Sequence, residues 1–122
     1  MTTQNRELAS LIDNSGNVTA TGNITGADCI ATSDIRVKDD LKRIENALDK
    51  VCSLTGYTFW RKDTEQHSAG IIAQDLQAQL PEGVNEGDDG ILHVSGQAEI
   101  GLLVEAIKEI KAQLDELKSK VL

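Results

Sequence analysis

The sequence predicts an α+β fold: a small β-hairpin and helix domain with a long C-terminal helix forming a trimeric coiled coil, preceded by a short β-structured shaft stub. Three observations point there. An apolar heptad seam runs to the last turn of the chain, an aromatic run after Gly56 reads as one arm of a hairpin, and the first thirty-two residues differ in composition from the rest. The expected division is therefore 1–32 for the end of the shaft and 33–122 for the domain.

The stub is polar and rich in Gly, Asn and Thr, with almost no Lys or Glu after Glu7. Within it, Gly16-Asn17-Val18-Thr19-Ala20-Thr21 is followed in register by Gly22-Asn23-Ile24-Thr25-Gly26-Ala27. Gly-Asn suits a tight turn, and Val18 and Ile24 are placed to point inward on successive short strands. Two copies fall short of the roughly three that a stable solenoid needs, so the segment reads as the end of a longer β-structure. A flexible Gly/Thr linker is the alternative.

From Asp39 the period becomes helical. Leu41, Ile44, Leu48 and Val51 share one face, Asp39 or Asp40 is placed to cap, and a helix is predicted from about Asp40 to Ser53. Gly56 ends it. Tyr57-Thr58-Phe59-Trp60 then reads as a strand, Lys62 to Gln66 as a turn, and Ala69 to Ile72 as the returning strand. A short helix over about Gln74–Gln79 must stop at Leu80-Pro81, because the residue before proline is pushed out of helical geometry. Glu82 to Gly90 reads as an acidic turn region, Ile91 to Val94 as a short strand, and about 98–122 as the terminal helix.

That helix carries the clearest pattern. Ile100, Leu103, Ile107, Ile110, Leu114, Leu117 and Val121 alternate at three and four residues, which is a heptad seam. With Ile100, Ile107, Leu114 and Val121 at a, and Leu103, Ile110 and Leu117 at d, no polar residue interrupts it, and Ile110 at d leans toward three strands. The competing reading is an amphipathic helix laid on its own domain.

Composition removes several function classes. A net charge of −8 argues against nucleic-acid and anionic-membrane partners, which demand a basic face. No apolar run reaches the length of a signal or membrane-spanning segment. Cys29 and Cys52 lack zinc-type spacing, nothing places them with His67 and His93, and no metal or cofactor is expected. Tyr57, Phe59 and Trp60 are the only aromatics and lie in one short run, so a lone monomer would be weakly anchored.

The chemistry lies at the compositional boundary, in Ala31-Thr32-Ser33-Asp34-Ile35-Arg36-Val37-Lys38. A Ser/Lys pair alone is a weak pointer, since most such residues cap turns or face solvent. Here it belongs to a set: S-D-I-R-V-K-D-D-L at 33–41, G-I-I-A-Q-D-L-Q at 70–77, L-P-E-G-V at 80–84 and L-L-V-E-A-I-K-E-I at 102–110. Together these resemble the C-terminal intramolecular chaperone and auto-processing domain of phage endosialidases, tail spikes and tail fibres, which is also similar to a domain of certain membrane-bound eukaryotic transcription factors. The resemblance covers Ser33 to about Ile110.

The resemblance implies a homotrimer that helps fold the upstream fibre shaft of the same polypeptide and then cuts itself off at Thr32–Ser33. It assigns Ser33 as nucleophile and Lys38 as general base, with Asp34 and Arg36 in support. It also implies assembly in the host cytoplasm and a parent protein in the virion tail fibre or spike. The chain departs from the family at Val94-Ser95-Gly96, where many members carry a tyrosine before the glycine. A non-cleaving trimerisation tip and a receptor-binding tip are the alternatives.

A lysine acts as a base only when neutral, and an ordinary one, with a pKa of about 10.4, needs roughly 4–5 kcal/mol of preference to become so near pH 7. Asp39 and Asp40 oppose that preference, whereas burial and the cation of Arg36 favour it. The unfolded chain is therefore expected to be inactive. A single cut at about 10⁻³ per second tolerates a barrier of roughly 21 kcal/mol, so the catalytic demand is modest.

Overall fold

In the computed structural model, which describes residues 11–121, the chain is α+β, with two small antiparallel sheets and a long C-terminal helix. The first ten residues of the expected stub, and Leu122, lie outside the described residues.

The first helix differs most from expectation. In place of Asp40–Ser53, α1 spans Ala47–Cys52. Asp40 and Asn46 both adopt left-handed backbone, with φ of 52° and 53°, which interrupts a right-handed helix at each point. Neither Asp39 nor Asp40 caps α1, and Asn46 occupies the cap position without a side-chain bond. The cap comes from far along the chain: Glu109 Oε2 accepts from the N–H of Ala47 at 2.6 Å and of Leu48 at 3.2 Å. A carboxylate there satisfies two otherwise orphaned donors and sits at the favourable end of the helix dipole.

β1 (Tyr57–Arg61) and β2 (Gln66–Gly70) form the predicted hairpin, with Tyr57 opposite Gly70 and Arg61 opposite Gln66. The return strand starts three residues earlier than Ala69 and ends at Gly70. A tight turn explains the shift: Glu65 takes φ 54°, and its N–H donates to Arg61 O at 2.8 Å. The Arg61 guanidinium beside Asp63 holds that carboxyl down at about 2. Ile71 and Ile72 thereby leave the sheet, Ile71 to pack on the core and Ile72 to precede α2 (Ala73–Gln79).

α2 stops at Leu80, as the following proline requires, and Pro81–Gly83 forms one 3-10 turn. A Cβ on Gly83 would lie 2.9 Å from Ala98 Cβ, so glycine permits the close approach of this turn to the last helix. The segment read as an acidic turn contains a strand: β3 (Val84–Glu86) pairs with β4 (Leu92–Val94). With Val84 its only apolar residue, β3 is too short and polar for its pattern to show. α3 follows over Gly96–Val121, and Ser95 Oγ accepts from Ala98 N–H at 3.4 Å as its cap.

Ala47, Leu76, Leu80, Leu102 and Ala106 are buried, and Ile44, Val51, Leu54, Ile71, Val84, Val94 and Ala98 pack around them. The core is small. The accessible surface of 10447 Å² far exceeds the roughly 6,400 Å² of a compact 13.2 kDa monomer. Residues 11–43, the described part of the stub and the segment after it, are all exposed. Among the described stub residues, 11–32, a single bridge joins Ile12 and Val18, and Ile24 is 81% exposed. One chain with two repeats offers these side chains nothing to pack against.

Leu76 is fully buried at the centre of the core. Leu76→Ala should cost about 2–5 kcal/mol, read as a fall in chemical-denaturation stability; an unchanged midpoint and slope would disprove the single-core description.

Candidate functional site

Five residues of extended chain would separate Ser33 from Lys38 by roughly 17 Å. The structure closes that gap. A 3-10 turn at Ile35–Val37 reverses the backbone, and Lys38 Nζ lies 2.7 Å from Ser33 Oγ.

Asp34 builds the turn. Its Oδ1 accepts from Arg36 N–H at 2.8 Å, while Val37 N–H donates to Asp34 O and Lys38 N–H to Ile35 O, both at 3.1 Å. The Arg36 side chain folds back as a fork onto the same carboxylate, with Nη2 at 2.8 Å from Oδ2 and Nε at 3.1 Å from Oδ1. The fork and the backbone N–H of Arg36 together hold the Asp34 carboxyl below the usual carboxylate range. Asp34, not Ser33, therefore caps the turn, which leaves the serine hydroxyl free for the lysine.

The electrostatic surroundings differ from the sequence expectation. The cation of Arg36 is engaged by Asp34 and is not free to act on the lysine. Asp40 pairs with Lys42 at 3.4 Å, and Asp39 Oδ1 accepts from Asp40 N–H. Burial is missing from the single chain: Ser33 and Lys38 are both exposed, as are Ile35 at 69% and Val37 at 65%.

α3 presents two separate faces. Leu102 and Ala106 are buried against the domain, with Ala98, Glu105 and Glu109 alongside. All seven seam residues, Ile100, Leu103, Ile107, Ile110, Leu114, Leu117 and Val121, are exposed. At 3.6 residues per turn the seam is centred roughly 90° from Leu102 and Ala106 and roughly 125° from the inner stripe as a whole. Packing of α3 on its own domain thus uses a different stripe and leaves the heptad seam uncovered.

Cys29 and Cys52 are exposed free thiols, at the stub and at the end of α1. His67 stacks edge-on to Trp60 across the hairpin, with centroids 5.0 Å apart, and His93 lies on β4. Among the described residues no His, Cys, Asp or Glu group converges as a metal site, and no helix is long and apolar enough to cross a membrane. Sequence reasoning quoted Glu109 within the motif at 102–110 but missed its capping role. Its partners lie 62 and 61 residues away, and no local pattern marks it.

Residues 33–85 match the family described as chaperone of endosialidase. Over 109 residues the chain is 45% identical to the long tail fiber protein Gp37 of Enterobacteria phage K3, covering 82% of this chain and 9% of that protein. It is 40% identical to Gp37 of Enterobacteria phage Ox2, covering 80% of this chain and 43% of that protein. A more distant relative is the myelin gene regulatory factor-like A of Dictyostelium discoideum, at 30% identity over 74% of this chain and 12% of that protein. The chain thus spans only a small part of the full-length fibre protein from phage K3.

A depressed carboxyl contributes stability that is fully present above its unfolded value and is lost as pH falls through its folded value. Acidification from the ordinary carboxylate range downward should therefore open the Asp34–Arg36 fork. Carboxyl-carbon NMR should show Asp34 titrating below the ordinary value of 3.8, and Arg36→Ala should move it back up; no change on that substitution would refute the fork.

Proposed function

Because residues 33–85 belong to the chaperone-of-endosialidase family, we propose that this chain is the C-terminal chaperone domain of a phage tail fibre, which assembles through α3, assists folding of the upstream shaft and then releases itself by cutting Thr32–Ser33. The likeness to the Gp37 fibre proteins over four-fifths of the chain supports the fibre context. The observation that carries the cleavage reading is the 2.7 Å contact between Ser33 Oγ and Lys38 Nζ, at the point where the exposed stub meets the domain.

Assembly is a homotrimer along the heptad seam. Seven exposed Ile, Leu and Val side chains on one helical stripe are an arrangement that a monomer leaves in water at a cost of about 25 cal/mol per Å². The absence of a polar a or d residue, and Ile110 at d, favour three strands.

The reaction starts from the neutral amine. Lys38 Nζ accepts the proton of Ser33 Oγ as that oxygen bonds to the carbonyl carbon of Thr32. The Thr32–Ser33 carbon–nitrogen bond then breaks, and its electron pair stays on the Ser33 nitrogen, which takes the proton back from Lys38. An ester joins Thr32 to Ser33 Oγ until water hydrolyses it to the Thr32 carboxylate and the free hydroxyl. Exclusion of water favours the neutral amine, and neighbouring copies packed over Ile35 and Val37 supply it. Cutting then reports completed assembly and makes maturation irreversible.

A non-cleaving trimeric tip is the second reading, favoured by the exposure of the dyad in the single chain. Intact mass of the denatured protein separates the two: fragments 1–32 and 33–122 should appear with Ser33 and vanish in Ser33→Ala. One full-length mass from both, in a sample trimeric by light scattering, would leave the tip reading.

Lys38→Ala should leave a folded, uncut trimer, and normal cutting there would eliminate the dyad. Leu103→Asp with Ile110→Asp should abolish trimer and cleavage together. A monomer that still cuts would sink assembly-dependent activation.

A further inference from the structure

Of the strap between dyad and domain, residues 39–46, Arg43 and Ile44 meet one stripe of α3. Gly101, Glu105 and Glu109 recur at four-residue intervals along it. A Cβ on Gly101 would lie 3.7 Å from Ile44 Cδ1, so the helix backbone receives Ile44 closely. Glu105 pairs with Arg43 at 3.2 Å from a largely buried side chain, 16% exposed. Glu109 caps α1 through Ala47 and Leu48.

Glu109 sits in the same helical turn as Ile107 and Ile110 of the seam, yet faces α1. From Lys111 to Val121 every described residue of α3 is exposed, so this part of the helix buries no side chain within its own chain. A helix that lacks tertiary packing frays, and a six-residue α1 does not support itself without its cap. Formation of the seam therefore fixes the turn that carries Glu109, Glu109 orders α1 and the strap, and the strap anchors the arm that bears Lys38.

We infer that Glu109 is a positioning residue through which assembly of α3 reaches the Ser33–Lys38 pair. The inference rests on the self-cleavage reading, and its test has a readout independent of cleavage. Glu109 faces away from the seam, so its substitution should spare the trimer.

Cleavage rate, light scattering and amide exchange are compared for the unsubstituted chain, Glu109→Ala and Glu109→Gln, with exchange read in a Ser33→Ala background. Glu109→Ala should remain trimeric, cut about tenfold more slowly, equivalent to about 1.4 kcal/mol, and exchange faster both at Ala47–Leu48 and across 33–43. Glu109→Gln keeps an acceptor and should recover most of the rate. A wild-type rate for Glu109→Ala, or faster exchange confined to α1, overturns the coupling. If the unsubstituted trimer stays uncut, the self-cleavage reading fails, while exchange across 33–43 still decides for or against the coupling. Should Glu109→Ala lose its trimer, Arg43→Ala replaces it: faster exchange across 33–43 supports the strap contact, and unchanged exchange overturns it.

Discussion

Burial of Leu102 and Ala106 of α3 against Ala47, Leu76 and Leu80 holds this chain together, because those five make up the buried hydrophobic core among the described residues. α1, α2 and the β3–β4 pair are each too short to persist alone, since isolated helices below about twelve residues and lone two-stranded pairs are marginal in water. Each gains its stability by leaning on α3 or on an element that does. Gly83 shows how close the fit is, because a side chain there would occupy the space that Ala98 already fills.

That dependence gives the long helix two duties on separate stripes. The inner stripe is small and polar as well as apolar, with Gly101, Leu102, Glu105, Ala106 and Glu109 receiving the rest of the chain. The other is an uninterrupted row of Ile, Leu and Val with nothing of its own chain against it. A sequence selected only to fold as a monomer has no use for the second stripe, and exposed apolar area of this extent marks an interaction surface.

The Ser33–Lys38 contact is built on a different scale. It needs only the six residues Ser33 to Lys38: Asp34 caps a single turn, Arg36 locks the cap, and the turn returns the lysine to the serine. A local device of this kind fixes geometry but cannot exclude water. Proximity is thus present in the single chain, while exclusion of water from the pair is not. Separating the two is what would allow a self-cutting domain to stay silent until assembly is complete.

The α+β class, the β1 strand, the stop at Leu80-Pro81, the long terminal helix and its exposed seam were legible in the sequence because each rests on local period or on a proline rule. The motif at Ser33 was legible because it belongs to a set of four motifs spread over residues 33–110. Only the tertiary structure decided where α1 begins, since its cap is a carboxylate about sixty residues away, and only it showed β3, whose pairing depends on β4 and not on its own pattern. It also decided that Arg36 is spent on Asp34 and that, among the described stub residues, a single bridge forms in one chain. For α1 and β3 the physical reason is the same: the sequence displays the intrinsic preference of each segment, whereas partners distant in the chain settle which donors are capped and which strands pair.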